Sequence, residues 1–424
     1  MSKLISVYEI YKHSLGVNTD SRSLQKGEVF IALKGENFNG NNFVEAAIDQ
    51  GAEAVICDEA QDFAHHKLFI VEDSLKFLQD LANYHRHQCS ATFIGITGSN
   101  GKTTTKELLR DVLSTTFKTH ATKGNFNNHI GVPLTLLEIK TDTEIAIIEM
   151  GANHQKEIEA LCEIAEPDYG YITNFGKAHL EGFGGMDGVI KGKSELYQYL
   201  EQNNRKALLN FDDPIQKSKA ELLTNKSFSF KNGADYIFED TTNEKVSFNI
   251  NATQINTQLI GDYNLTNVCS AVAFGLWLGA DLRDIKFACE NYVPNMNRSE
   301  LVKTKSNTLI LDAYNANPTS MALSISNFAK ANYVNKLLIL GDMFELGEYS
   351  HKEHKAITEL VKNTGIETLF IGESFSKCNH FSVSKSFKTT DELLKHLAAK
   401  NITNRTILLK GSRGMGLEKA KHYL

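Results

Sequence analysis

Residues 94–105 read Ile94-Gly95-Ile96-Thr97-Gly98-Ser99-Asn100-Gly101-Lys102-Thr103-Thr104-Thr105, an apolar run that breaks into a glycine turn and then a helix. Residues 93–96 supply a short buried strand. Gly98 and Gly101 let the backbone turn with its N–H groups inward, and Lys102 offers a point charge for terminal phosphates. Thr103 stands where a hydroxyl can ligate Mg²⁺. Gly98, Ser99, Asn100, Gly101, Lys102, Thr103 and Thr104 are therefore the candidate nucleotide cradle. The general spacing G-x-x-x-x-G-K-[ST] is not met, because Ile96 occupies the first glycine position and Gly98 lies only three before Gly101. A Gly/Ser/Thr turn with a surface lysine is the plain alternative. The order strand, Gly-x-x-Gly-Lys-Thr, helix disfavours it.

The 424 residues exceed one ordinary core and point to several domains. A hydrophobic share of 42% with 23% charged residues is that of a globular chain. The net charge of −6 argues against general nucleic-acid binding, so phosphate contacts must be local. The six cysteines lie far apart without metal-like spacing, which suits reduced thiols in a cytoplasm. The first residues lack an apolar signal core, and no stretch approaches the roughly 18 apolar residues of a membrane span. An intracellular protein without membrane insertion is expected.

Upstream of the loop, residues 1–87 read as a small α/β domain. A strand-like run at 29–35 ends in Lys34 and Gly35, a helix over 43–50 stops at Gly51, and strands follow at 54–57 and 68–71. Ser21 and Arg22 precede that run. Arg22, Lys34 and the Asn/Gly loop after it could receive a diphosphate or a sugar, or could be a solvated loop.

Residues 88–297 alternate strand and helix, which implies a mainly parallel sheet with helices on both faces and ligands at the carboxyl ends of its strands. The loop helix continues over 106–117. Asn125, Asn127 and Asn128 make the next loop rich in amides, suited to a peptide or sugar, or else to Asn-capped turns. The strand at 144–151 delivers Glu149 at its carboxyl end, where nucleotide-binding sheets hold Mg²⁺. His179 follows in a glycine-rich loop one strand further on, as ligand or as structural histidine. Lys193 falls in a helix and reads by default as solvated. Over 227–260 the period changes to two, through Phe228, Phe230, Val246, Phe248 and Ile250, as in an antiparallel insert. Asn264 reads as the N-cap of the next helix, leaving Asn267 free to face a ligand.

The linker Val293-Pro294-Asn295-Met296-Asn297-Arg298 opens a second α/β unit, Rossmann-like, over 298–424, with strands at 308–311, 336–340, 368–371 and 406–409. Having no phosphate loop of its own, it reads as a domain that closes over the nucleotide.

These residues together resemble the Mur ligases of bacterial cell-wall synthesis along essentially the whole chain. The resemblance is carried by the Thr97-to-Thr103 loop, Gly124-Asn125-Phe126-Asn127-Asn128, Glu149-Met150-Gly151-Ala152-Asn153-His154, Ala178-His179-Leu180-Glu181-Gly182-Phe183-Gly184, Tyr314-Asn315-Ala316-Asn317-Pro318 and Gly341-Asp342-Met343-Phe344-Glu345-Leu346-Gly347. The last four point to the branch that adds D-alanyl-D-alanine to UDP-N-acetylmuramoyl-tripeptide. The resemblance implies three domains and an amide synthesis in which ATP first phosphorylates the peptide carboxylate. It further implies Lys102 on the phosphates, Thr103 and Glu149 on one Mg²⁺, His179 on a second, and a CO₂-carbamylated Lys193 as a further metal ligand. Asn267 and Arg298 would meet adenine and ribose, Asp312 and Asn315 would reach the nucleotide from the closing domain, and Ser21, Arg22, Lys34 and Gly35 would take the uridine diphosphate. A monomer is expected. Relatives commonly carry Pro-Gly-Arg before the last domain, where this chain has Asn295-Met296-Asn297-Arg298. A folate-extending ligase of the same superfamily would share the loop, Glu149, His179 and Lys193. It would not explain the Asp20-Ser21-Arg22 domain or the Asn-Ala-Asn-Pro segment. A nucleotide switch would have little use for a histidine, a second metal position and a closing domain.

Overall fold

The computed structural model describes residues 2–294, 297–378 and 381–424. Asn295 and Met296 of the expected linker lie outside the described residues. The chain gathers into two compact units. One comprises the residues up to Gly95 with Phe117–Gly151 and Glu157–Tyr169, and the other comprises Ile96–Thr116, Ala152–Lys156 and Gly170–Leu424.

The first unit contains a four-stranded sheet ordered Val17–Asn18, Val29–Ile31, Ala54–Cys57, Leu68–Ile70. All its pairings are parallel. The strand expected at 29–35 ends at Ile31, and Lys34–Gly35 instead pairs antiparallel with Phe38–Asn39 in a separate hairpin. Gly40 lets the end of the hairpin lie back against this break, since a Cβ there would stand 2.7 Å from the Leu33 carbonyl oxygen. The helix Ser74–Gln88 starts at an Asp73 cap and buries Phe77, Leu78, Leu81 and Ala82.

The largest sheet has seven strands in the order Tyr236–Ile237, Thr224–Ser229, Lys206–Asn210, Tyr169–Ile172, Thr92–Thr97, Ile145–Glu149, Thr119–Ala121. Ile145–Glu149 is buried at every position, as a strand covered on both faces must be. The expected antiparallel insert is half correct. Thr224–Ser229, with Phe228, pairs parallel with Lys206–Asn210 and with Tyr236–Ile237 and so belongs to the main sheet. Only Glu239–Asp240, Ser247–Ile250 and Thr253–Asn256 form an antiparallel sheet. A period of two is common to both kinds of strand, so the pattern could not separate them.

The helix Tyr263–Leu278 begins after Asp262, and Asn264 is not its cap: it is buried inside the first turn, donating to the Ile260 carbonyl at 2.8 Å. The C-terminal lobe has six strands, ordered Glu300–Lys303, Thr308–Leu311, Thr406–Lys410, Lys336–Gly341, Glu367–Ile371, Ser384–Phe387. Its first strand, antiparallel to Thr308–Leu311, and its last were not expected; both are short edge strands with mixed burial. Among the described residues no helix is long and apolar enough to cross a membrane.

A buried polar bracket ties the strand that leads to the site into this frame. The Gln216 side chain, fully buried, accepts from the Asn210 N–H at 3.0 Å and donates to the Ile172 carbonyl at 2.9 Å. Beside it the Tyr197 hydroxyl accepts from the Ile172 N–H at 3.2 Å and donates to the Leu208 carbonyl at 2.8 Å. Gln216→Leu keeps the bulk but orphans a buried donor and a buried acceptor, so chemical denaturation should show stability lower by about 3 kcal/mol.

Candidate active site

The loop predicted from the sequence is built as a backbone cradle. The strand Thr92–Thr97 ends at Gly98, whose φ of +139° is open to glycine, and a Cβ there would lie 2.0 Å from the Thr173 hydroxyl. Gly101, φ +82°, starts the helix Lys102–Leu113 without any side-chain cap, at the end of the helix where the dipole favours an anion. Lys102 folds back over the loop, donating to the Gly98 carbonyl at 2.6 Å. Thr103 is 2% exposed at the helix start.

Two residues that the sequence did not single out, Thr173 and Asn174, brace this loop. Thr173 Oγ donates to the Asn100 carbonyl at 2.6 Å. Asn174 donates to the same oxygen at 2.9 Å through its side chain, accepts from the Asn100 N–H at 3.1 Å, and takes the Ser99 N–H on its own carbonyl at 3.0 Å. Their signal was polar character just past an apolar strand.

Asn267 is not free to face a ligand. It is buried beneath the loop, donates to Asn264 at 3.0 Å, accepts from the Thr105 hydroxyl at 3.3 Å, and occupies the space a Cβ on Gly101 would need. Glu149, 1% exposed at the carboxyl end of its strand, accepts from Asn127 at 2.7 Å. Asn128 does what a capping asparagine does, accepting from the Ile130 and Gly131 N–H groups, while Asn125 is exposed.

The chain downstream of Asn174 carries His179, which adopts a left-handed backbone, φ +52°, ahead of the short helix Leu180–Phe183. Its Nδ1 lies 2.5 Å from a Glu345 carboxylate oxygen, and the imidazole holds that carboxyl below its ordinary pKa. Lys193 is not solvated. It is 1% exposed in the helix Met186–Gln202, donates to the Ala152 carbonyl at 3.1 Å and sits 4.9 Å from the Phe183 ring.

In the C-terminal lobe Asp312 is held by Lys410 at 2.7 Å and by the Ser324 hydroxyl at 2.6 Å, and the Asn315 side chain accepts from the Ala316 N–H. Arg298 stacks 3.8 Å above Tyr314, and its buried Nε has no hydrogen-bond partner among the described residues. In the N-terminal region Ser21 is buried. Arg22 is exposed and clamped to Asp20, whose carboxyl it lowers to about 2, and Lys34 bridges Asp58 and Glu59 at 3.0 Å each. Gly35 is exposed in the hairpin.

Contacts that no sequence motif announced join the C-terminal lobe to the loop region. Asn317 donates to Asn100 at 2.7 Å, Thr319 Oγ accepts from the Lys177 N–H at 2.9 Å, and Lys177 pairs with Glu353 at 2.7 Å. No three His, Cys, Asp or Glu side chains converge as a metal cluster among the described residues. Hydroxyl and carboxylate oxygens, such as those of Thr103 and of Glu149, are each hard donors of the kind Mg²⁺ takes.

Comparison with known proteins agrees with this geometry. Models of the Mur ligase family catalytic domain, the Mur ligase middle domain and the Mur ligase glutamate ligase domain match residues 13–86, 96–275 and 297–413. The UDP-N-acetylmuramoyl-tripeptide–D-alanyl-D-alanine ligase of Bacillus subtilis is 36% identical over 95% of this chain and 92% of that protein. The crystal structure of MurF from Acinetobacter baumannii superposes with a TM-score of 0.87 at 32% identity, covering 96% of this chain and 92% of that one. MurF ligase from Thermotoga maritima, solved in complex with ADP, gives 0.86 at 27% identity over 100% and 98%. Three family models in succession and a relative 36% identical along nearly its whole length establish that the chain belongs to the Mur ligase family.

Proposed function

We propose that this protein is the ATP-dependent ligase that joins D-alanyl-D-alanine to UDP-N-acetylmuramoyl-tripeptide, a step in making the peptidoglycan precursor. The observation that carries the reading is the braced glycine loop, held in one compact unit with His179, Lys193 and the C-terminal lobe, in a chain whose full-length relatives bear that activity in their names.

Amide formation from a carboxylate and an amine is uphill in water. Transfer of the γ-phosphoryl of ATP to the tripeptide carboxylate gives an acyl phosphate. The dipeptide amine attacks its carbonyl carbon, and phosphate leaves from the tetrahedral intermediate. Negative charge accumulates at every stage, so the work of the protein is positioning and electrostatic stabilisation. Lys102 and the N–H groups of Gly101 to Thr104 hold the β- and γ-phosphates. Thr103 and Glu149 would hold one Mg²⁺ and His179 a second, and such ions, when bound, neutralise phosphate charge. Asn127 fixes the orientation of Glu149 through its 2.7 Å bond.

A carbamate on Lys193 follows the family resemblance. The Nζ lone pair of the neutral amine would attack the carbon of CO₂ with release of one proton, leaving a carboxylate-like ligand. Arg298, Asp312 and Asn315 meet the nucleotide from the C-terminal side, with the unpartnered Arg298 Nε as support. Asn267 acts on the nucleotide through the loop that it underlies. Ser21, Arg22, Lys34 and Gly35 take the uridine diphosphate, and Asn125 and Asn128 line the path of the peptide. The division of labour is then 1–87 for the nucleotide-linked substrate, 88–297 for ATP and chemistry, and 298–424 for closure. The protein works as a monomer in the cytoplasm, where its soluble substrates are.

Phosphate release measured with ATP, Mg²⁺, UDP-muramoyl-tripeptide and D-alanyl-D-alanine should depend on the dipeptide and yield the pentapeptide by mass; turnover indifferent to the dipeptide would sink the reading. Lys193→Ala should lose turnover and regain part of it with a small carboxylate in the buffer, and full activity without that addition would rule out the carbamate. Gly98→Ala should cost about 3 kcal/mol of stability, read by thermal unfolding, from a strained backbone and the clash with Thr173, and should abolish ATP binding in calorimetry.

A further inference from the structure

Lys177 has no part in the chemistry described above, yet it carries two of the contacts that join the His179 loop to the C-terminal lobe. Its ammonium, on a half-exposed side chain, lies 2.7 Å from Glu353 Oε1, whereas the Glu353 side chain is only 6% exposed. Lys177 is the one cation paired with that carboxylate among the described residues. Its backbone N–H donates to Thr319 Oγ at 2.9 Å.

Both partners stand at helix starts. Thr319 is in the first turn of Pro318–Lys330, whose Asn317 cap also donates to Asn100 in the phosphate loop. Glu353 is in the first turn of Ser350–Thr364, where a negative charge is favoured by the helix dipole. The preceding residue, Gly176, has no room for a side chain: a Cβ would meet Asn100 Nδ2 at 2.7 Å and Thr319 at 3.2 Å. The Glu181 N–H donates to the Glu345 carbonyl at 3.2 Å, and the Glu345 carboxylate reaches His179. Residues 176–181 are thus pinned to the lobe from both ends, with His179 between the pins.

We propose that Lys177 is a positioning residue, and that its ion pair with Glu353 sets the C-terminal lobe against the loop carrying His179 in the geometry turnover requires. The proposal rests on the ligase reading. A buried carboxylate that loses its one cation is better off hydrated, so removing the ammonium favours arrangements in which the lobe withdraws and Glu353 meets water. Such a withdrawal also moves Thr319 and Glu345 away from the His179 segment. The phosphate loop keeps its own braces, Thr173 and Asn174, which lie outside the lobe. Nucleotide binding and nucleotide use are therefore expected to separate on mutation.

The experiment is a double-mutant cycle on the full-length enzyme with Lys177→Met, which keeps the apolar stem, Glu353→Gln, and the two combined. Each single change should lower kcat about tenfold, the scale of a modest misplacement of reacting groups, with the KM for ATP within about twofold. The double variant should be no slower than the slower single, because both remove one interaction. Small-angle scattering with a non-hydrolysable ATP analogue should give a larger radius of gyration for each variant than for the wild type. Wild-type kcat in both singles, single effects that multiply in the double, or an unchanged radius of gyration would each overturn the proposal. Failure of the wild type to release phosphate on addition of dipeptide would instead overturn the ligase reading, since the scattering comparison needs no turnover.

Discussion

The close approach of Gly98 to the Tyr169–Ile172 strand end is the constraint on which the site depends. The 2.0 Å a Cβ would leave to Thr173 means that the loop backbone lies directly against the chain leaving the neighbouring strand, and Thr173 and Asn174 convert that proximity into four hydrogen bonds. The same segment runs on through Gly176 and Lys177 to His179. Fixing the phosphate loop therefore fixes the origin of the His179 loop. Gly176 repeats the device, since Asn100 occupies the space its side chain would need. Two glycines, one on each chain segment, let the backbone pass where a side chain would clash.

A second regularity concerns charge. Three of the cations proposed for ligands already have protein partners: Lys34 with Asp58 and Glu59, Arg22 with Asp20, Lys102 with the loop carbonyls. A phosphate arriving at such a cation exchanges one set of acceptors for a stronger one, and the ammonium is never left bare in the meantime. Arg22 and Lys34 are exposed enough that their pairs add little to stability. Their effect is to hold long side chains in one region, which lowers the ordering cost on binding. Lys410 differs in being buried, and its 2.7 Å pair with the half-buried Asp312, supported by Ser324, reads as a fixed strut of the lobe.

How much of this was legible in the sequence follows from which interactions are local. The strand-turn-helix at residues 92–113 and the strands at 54–57, 145–149 and 308–311 were readable, because an apolar run bounded by glycine or polar residues has few other fates. Strand direction was not, which is why Phe228 was placed in the wrong sheet. The burial of Lys193 was invisible too. A lysine on a helix is solvated unless other elements cover it, and what covers this one, Ala152 and Phe183, comes from segments read for other purposes. Thr173, Asn174, Lys177 and Glu353 were missed for the same reason: their partners are distant in sequence, between 73 and 176 positions away.

Backbone strain follows the same logic and shows why the two loops must meet. His179 and Glu345 both adopt left-handed φ, +52° and +61°, with side chains that favour neither. Each such residue costs on the order of 1 kcal/mol and persists only where its surroundings over-determine it. Here the surroundings are each other: the Glu345 carbonyl takes the Glu181 N–H, and its carboxylate takes the imidazole. Gly347, also left-handed, lies so close to Glu181 that a Cβ would come within 3.1 Å of it. Neither turn has a local reason to hold its strained residue, so each conformation is stabilised by the loop opposite, and the imidazole is oriented only when both are in place.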